Sequence, residues 1–183
     1  TLIHTLRGHS DEVSTHDFTP DSERLITGSH DLTVRVWSTS TGELLAVLQG
    51  HSQLVRHLAI APNGRWLATG GVDRFLYLWD WASGKAQHIL ADQDASVDQI
   101  TFSPDSQTVA VYHGNETISF WAVPSGQRVD SYRLHYAAIH ALAFSPDGRF
   151  LVAGGGDSAV YLWDVSQPTQ PFVTARLAGH RSR

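Results

Sequence analysis

Apolar residues in this chain gather in short, β-rich runs, each closed by a turn. In the stretch 54–90, the first run, 54–60, stops at Ala61-Pro62-Asn63-Gly64. Pro presets φ and Asn-Gly accepts positive φ, so these four residues read as a tight turn. A second run, 66–69, stops at Gly70-Gly71, and Asp73 opens a short connection into a third run, 75–79. Ala82-Ser83-Gly84 then turns the chain into a fourth run, 85–90. The pattern predicts four short antiparallel strands in sequence order. The third run does not alternate, since Phe75, Leu76, Tyr77, Leu78 and Trp79 are all apolar. A strand covered on both faces has this pattern, so each sheet is expected to sit between two like sheets.

The same unit recurs along the chain. Trp37, Trp79, Trp121 and Trp163 stand 42 residues apart. Asp31, Asp73, Asn115 and Asp157 precede each Trp by six residues, and Pro20, Pro62, Pro104 and Pro146 precede it by seventeen. A fixed period of this size marks a repeat architecture, in which one supersecondary unit is copied and stacked. The units align without gaps through their Trp; the last carries an insertion at Ser166-Gln167-Pro168-Thr169-Gln170-Pro171, expected in an exposed loop. The fold class expected is all-β, with four four-stranded antiparallel sheets repeated radially as propeller blades. The divisions are 1–9 for a leading strand, 10–51, 52–93, 94–135 and 136–180 for four blades, and 181–183 for a tail or the start of a further unit.

Composition narrows the function. A net charge of -5 over 183 residues provides no basic footprint, so nucleic-acid binding is not expected. The chain has no cysteine, which excludes disulfides and thiolate metal sites and fits a reducing compartment; a cytoplasmic location is the expectation. No apolar run approaches the length needed to span a membrane, and no membrane partner is expected.

Gly8-His9, Asp31 through Trp37, Gly50-His51, Asp73 through Trp79 followed by Asp80, and Asp157 through Trp163 followed by Asp164 resemble the WD40 repeat. The resemblance covers nearly the whole chain and implies a hydrogen-bonded tetrad of His, Ser or Thr, Asp and Trp in each blade. Carried over by position, blade one would use His9, Thr27, Asp31 and Trp37, and blade two His51, Thr69, Asp73 and Trp79. Blade four offers His135, Asp157 and Trp163 but has Ala153 where the hydroxyl belongs. Blade three has Gln93, Val111, Asn115 and Trp121 and is expected to lack the tetrad, since Val111 neither donates nor accepts.

Residues 1–9 align with 43–51, a fourth strand running into Gly-His, so they read as an orphan fourth strand of a preceding blade. An unpaired strand edge needs a partner. The expectation is a segment of a longer ring of about seven blades, within the range of the architecture. Two chains meeting in an eight-bladed ring, and a closed ring of four, are the alternatives.

Eleven histidines raise the question of catalysis or metal binding. His9, His51 and His135 already have structural places by resemblance, and no helix-borne metal motif, phosphate loop or nucleophile elbow occurs. The set Asp73, His51 and Thr69 matches a catalytic triad only in composition. Catalytic residues, metal and cofactors are therefore expected to be none. His16 stands where the other units have Leu58, Ile100 and Leu142, so a core histidine with a backbone partner is expected; His113 is expected in a surface connection, and Trp81, Tyr132 and Tyr136 as exposed contact aromatics. The resemblance implies a protein or peptide partner on the loop face. Candidates there are Glu12, Ser14 and His30 from blade one and Leu54, Arg56 and Val72 from blade two. Ser96 and Asp98 come from blade three, and Ala138 and His140 from blade four. The expected role is a non-catalytic interaction scaffold; the alternative is a regulatory propeller domain that controls a fused catalytic module.

Overall fold

The computed structural model describes residues 1–83, 85–91, 95–133, 138–166 and 173–178. Sixteen strands form among them. The first sheet holds β1 (Val13–Phe18), β2 (Arg24–Ser29), β3 (Val34–Ser38) and β4 (Leu44–Leu48), and the second β5 (Val55–Ile60), β6 (Trp66–Gly71), β7 (Phe75–Asp80) and β8 (Lys85–Ala91). The third holds β9 (Val97–Phe102), β10 (Thr108–His113), β11 (Thr117–Ala122) and β12 (Gln127–Arg133), and the fourth β13 (Ile139–Phe144), β14 (Phe150–Gly155), β15 (Ala159–Asp164) and β16 (Val173–Ala178). Each sheet is an antiparallel meander in sequence order. The insertion at 167–171 lies outside the described residues, apart from Ser166.

The turns explain why the strands stop where they do. After β1, β5, β9 and β13 the chain enters the left-handed region at Ser22, Gly64, Ser106 and Gly148, with φ between 60 and 72°. Ser103 shows the local chemistry: its hydroxyl donates to Asp105, and the Thr108 N–H returns to Ser103 Oγ at 3.0 Å. Between second and third strands, Leu32, Arg74, Glu116 and Ser158 are likewise left-handed.

The first strands of successive sheets run side by side, β1 next to β5, β5 next to β9 and β9 next to β13. Interlocking holds the sheets together. A Cβ added to Gly28 would come within 2.8 Å of Val55 Cγ1, and one added to Gly70 within 2.3 Å of Val97 Cγ1. Glycine on a second strand thus leaves the notch that the next sheet's valine fills. Val55, Val97 and Ile139 are 0%, 0% and 3% exposed, whereas Val13, at the same place in the first sheet, is 47% exposed. Phe18 is 54% exposed and its equivalent Phe102 is 7%. At the other end, a Cβ on Gly154 would meet nothing within 4 Å among the described residues. The four sheets therefore form an open arc, with a knob on one flank and a notch on the other.

One expectation changes here. His16 is exposed rather than in the core. Its equivalents Leu58 and Ile100 pack in the clusters joining neighbouring sheets, and His16 has no preceding sheet to pack against among the described residues. Residues 1–9 are not paired into any of the four sheets. Their path still follows the repeat. His4 Nε2 meets the Ser40 carbonyl at 3.1 Å, as His88 of β8 meets the Pro124 carbonyl of the next sheet at 3.3 Å.

Candidate functional site

The first two sheets each carry a buried polar chain that joins all four members of a set. In sheet one, Trp37 Nε1–H donates to Thr27 Oγ1 at 2.8 Å; the hydroxyl meets His9 Nε2 at 2.7 Å; His9 Nδ1 meets Asp31 Oδ2 at 2.8 Å. In sheet two, Trp79, Thr69, His51 and Asp73 repeat these three contacts at 2.8 Å each. The directions follow from the end members. A carboxylate only accepts and an indole only donates, so His carries its proton on Nδ1 and the hydroxyl donates to Nε2.

Burial alone would raise the Asp31 pKa; hydrogen bonds from Thr33, His9 and the Ser10 N–H overcome it and hold Asp31 well below the ordinary range. Asp73 is lowered in the same way, burial being opposed by His51 and the N–H groups of Ser52 and Phe75. Both carboxylates thus remain charged at neutral pH. Thr69 is fully buried and its oxygen is already bonded on two sides, so no substrate can reach it.

The third and fourth sheets use other residues. In the third, Trp121 Nε1–H donates at 2.8 Å to Ser119 Oγ, which lies 2.7 Å from His113 Nε2. The hydroxyl has moved from the second strand to the third, and the histidine has moved to the end of β10. His113 is buried, not in a surface connection. Gln93 lies outside the described residues, and Asn115 Oδ1 is buried without a hydrogen-bond partner among them. In the fourth sheet Asp157 accepts from the Tyr161 hydroxyl and from the Ala159 N–H at 3.2 Å. Trp163 is buried and stacks on Tyr161, and His135 lies outside the described residues. The residue two before each Trp therefore sets the local variant. Arg35 approaches Asp31 at 4.0 Å; Tyr77 packs against His51 and stacks on Trp79; Ser119 and Tyr161 supply hydroxyls.

The loop face is built by a second repeated device. The N–H groups of His30, Val72, Gly114 and Gly156 donate to the carbonyls of Glu12, Leu54, Ser96 and Ala138 at 2.9, 3.1, 3.0 and 2.9 Å. The two loops of each blade are thereby tied at one level. Immediately after each tie the ladder slips by one residue, at Ser14, Arg56, Asp98 and His140. A bulge redirects the side chain it carries and often lies beside a functional site. Arg56 and His140 are exposed and Asp98 is half-buried; Arg56 reaches Asp98 across the blade boundary at 3.7 Å. Ser14 donates to the Val55 carbonyl, and Ser96 Oγ donates to Asp98 Oδ1 at 2.9 Å. His30 lies 3.8 Å from the exposed Glu12 carboxylate. Beneath this rim, burial lowers the His57 pKa, Asp98 raises it, and Arg56 lowers it further. Leu54 and Val72 are half-buried and Ala138 is exposed.

Trp81 and Tyr132 are not free contact aromatics. Trp81 Nε1–H donates to the Gly64 carbonyl at 3.0 Å under the Arg24 guanidinium, and the half-buried Tyr132 donates to Asp130. Tyr136 lies outside the described residues.

The family model for the WD domain, G-beta repeat, matches residues 1–38, 42–80 and 126–164, more than half of the chain. The chain belongs to the WD-repeat family. The matched segments leave out 81–125, the stretch in which Val111 and Asn115 replace the usual hydroxyl and carboxylate. WD-repeat proteins generally bind other proteins and serve as non-catalytic scaffolds. No curated protein matches the chain.

Proposed function

We propose that this WD-repeat protein is a non-catalytic platform that holds a partner polypeptide on its loop face, against Ser14, Arg56, Asp98 and His140. The observation that carries the reading is the fourfold N–H to carbonyl tie followed each time by a bulge. Backbone of one design presents four different side chains, which is how a rigid scaffold acquires specificity through its loops. The mixture of charges favours a polypeptide over a phosphate group, which would call for clustered Arg. The open flanks at Val13 and Gly154 support completion of the arc by further blades, from the same chain or a second one. The lack of cysteine supports a cytoplasmic setting.

The test is affinity capture from the native source with the pair exchanged, Arg56→Asp together with Asp98→Arg. The exchange keeps an ion pair of the same kind but reverses the charge at both bulges. Loss of partner recovery with an unchanged melting temperature is expected. Unchanged recovery would remove these residues from the site.

A further inference from the structure

The three boundaries between successive blades are filled differently at one place, on the rim opposite the loop face. The first residue of the second strand there is Arg24, Trp66, Thr108 and Phe150 in blades one to four. At the first boundary Arg24 lies over the Trp81 ring, 5.2 Å from its centroid. At the second, Trp66 is buried in the cluster with Leu78, Leu90, Phe102 and Val123. At the third, the equivalents of those four are Phe120, Tyr132, Phe144 and Val165, but the tryptophan is replaced by Thr108. A cavity of about 360 Å³ opens in the missing indole's place, within the size range of ligand sites.

Its chemistry is two-sided. Phe120, Val129, Phe144 and Val165 provide apolar walls, and Asp105, Asp130 and Asp147 provide carboxylates at the lining. Hydrogen bonds from Ser103 and the Gln107 N–H lower the Asp105 pKa, and those from Ser145 and the Arg149 N–H lower that of Asp147, so both are anionic at neutral pH. Arg149, on the Asp147 turn, is engaged with Asp164 at 3.0 Å.

We infer that this cavity receives a tryptophan side chain of a partner polypeptide, with an arginine or lysine beside it that meets the carboxylates. The shape of the occupant is given by Trp66, which fills the equivalent space one blade earlier. Its charge is given by the acidic lining, and the pairing of guanidinium with indole is the solution the chain itself uses at Arg24 and Trp81. The inference shares with the proposed function only the idea that the partner is a polypeptide, and it concerns a separate surface.

The experiment is fluorescence anisotropy with the 183-residue chain and a fluorescein-labelled peptide, acetyl-Gly-Arg-Trp-Arg-Gly-amide. Binding that weakens with salt is expected. Thr108→Trp should weaken it more than about tenfold, because the cavity is then occupied. The same substitution should raise the melting temperature by filling a void. Asp147→Lys should weaken binding several-fold and, because it gives up the turn's hydrogen bonds from Ser145 and the Arg149 N–H, lower melting slightly while leaving the chain folded, which keeps the test valid if Thr108→Trp does not fold. The Arg56 and Asp98 exchange should leave this peptide bound, which separates the cavity from the loop face. No binding to the unaltered chain, equal binding of a peptide with Glu in place of both Arg, or undiminished binding to Thr108→Trp would each overturn the inference. Equal binding of N-acetyl-tryptophanamide alone would make the cavity a small-molecule site and overturn it as well.

Discussion

Replacing Thr69 by Val removes one oxygen from blade two and almost nothing else, since the two side chains have nearly the same shape. That oxygen joins the two halves of the network, receiving the Trp79 indole N–H and meeting His51 Nε2, each at 2.8 Å. Trp79, His51 and Thr69 are all buried, so water cannot replace it. Leaving a buried donor or acceptor without its partner costs about 1–3 kcal/mol, and two groups are stranded at once. The added methyl recovers about 0.8 kcal/mol of apolar burial. The net expected loss is about 1–5 kcal/mol. Urea unfolding followed by far-ultraviolet circular dichroism measures it without using tryptophan emission, which the substitution itself perturbs. The slope should stay the same and the midpoint should fall. Val111→Thr in blade three supplies the reciprocal case. It buries a hydroxyl where Ser119 already serves Trp121, so it too should destabilise, by about 1–3 kcal/mol. A loss below about 0.5 kcal/mol for Thr69→Val, no more than an ordinary surface change, would refute the reasoning.

Acid should weaken the protein through Asp31 and Asp73. Both pKa values are depressed by folding, so their contribution is complete above the unfolded carboxylate pKa and is lost as pH falls through the folded values. Melting temperatures should drop from about pH 5 downward, and Asp31→Asn with Asp73→Asn should flatten that slope; an unflattened slope would assign the acid sensitivity elsewhere. The left-handed turn positions predict opposite signs for two substitutions. Gly64→Ala, at φ 70°, should cost about 1 kcal/mol in chemical denaturation. Leu32→Gly, also at φ 70°, should gain up to about 1 kcal/mol.

Much of this fold is legible as columns of a 42-residue repeat, because each column repeats one physical requirement. The turn at Asn63-Gly64 has counterparts at Asp21-Ser22, Asp105-Ser106 and Asp147-Gly148, and a Trp near the end of the third strand recurs in every blade. The Gly70 notch does not, since blade three has Tyr112 in that column, and Gly70-Gly71 continue β6 rather than stop it. The backbone tie and the bulge that arrange the loop-face residues involve main-chain atoms and leave no mark on residue type. What the columns hide is substitution between them. In blade three the hydroxyl moves from the second strand to Ser119 and the histidine to His113, so a reading fixed on Val111 finds only a gap. The signal was present in Ser119, a small polar residue where blades two and four have Tyr77 and Tyr161. His16 was misjudged because its burial depends on a neighbouring sheet rather than on its own sequence. The cavity at Thr108 was invisible for a related reason, since a void arises from three or four columns acting together across a boundary.

The account rests on sheets that interlock, knob into notch, with like sheets beside them. Gly70→Ala and Gly154→Ala make the same chemical change at equivalent places in the 183-residue chain. The first drives a Cβ to within 2.3 Å of Val97 Cγ1, and the second meets nothing within 4 Å among the described residues. Thermal and urea unfolding of the two variants should show a loss of about 2 kcal/mol or more for Gly70→Ala, in the manner of an overpacked core, and little or none for Gly154→Ala. Equal effects at the two positions would contradict the interlocked arc.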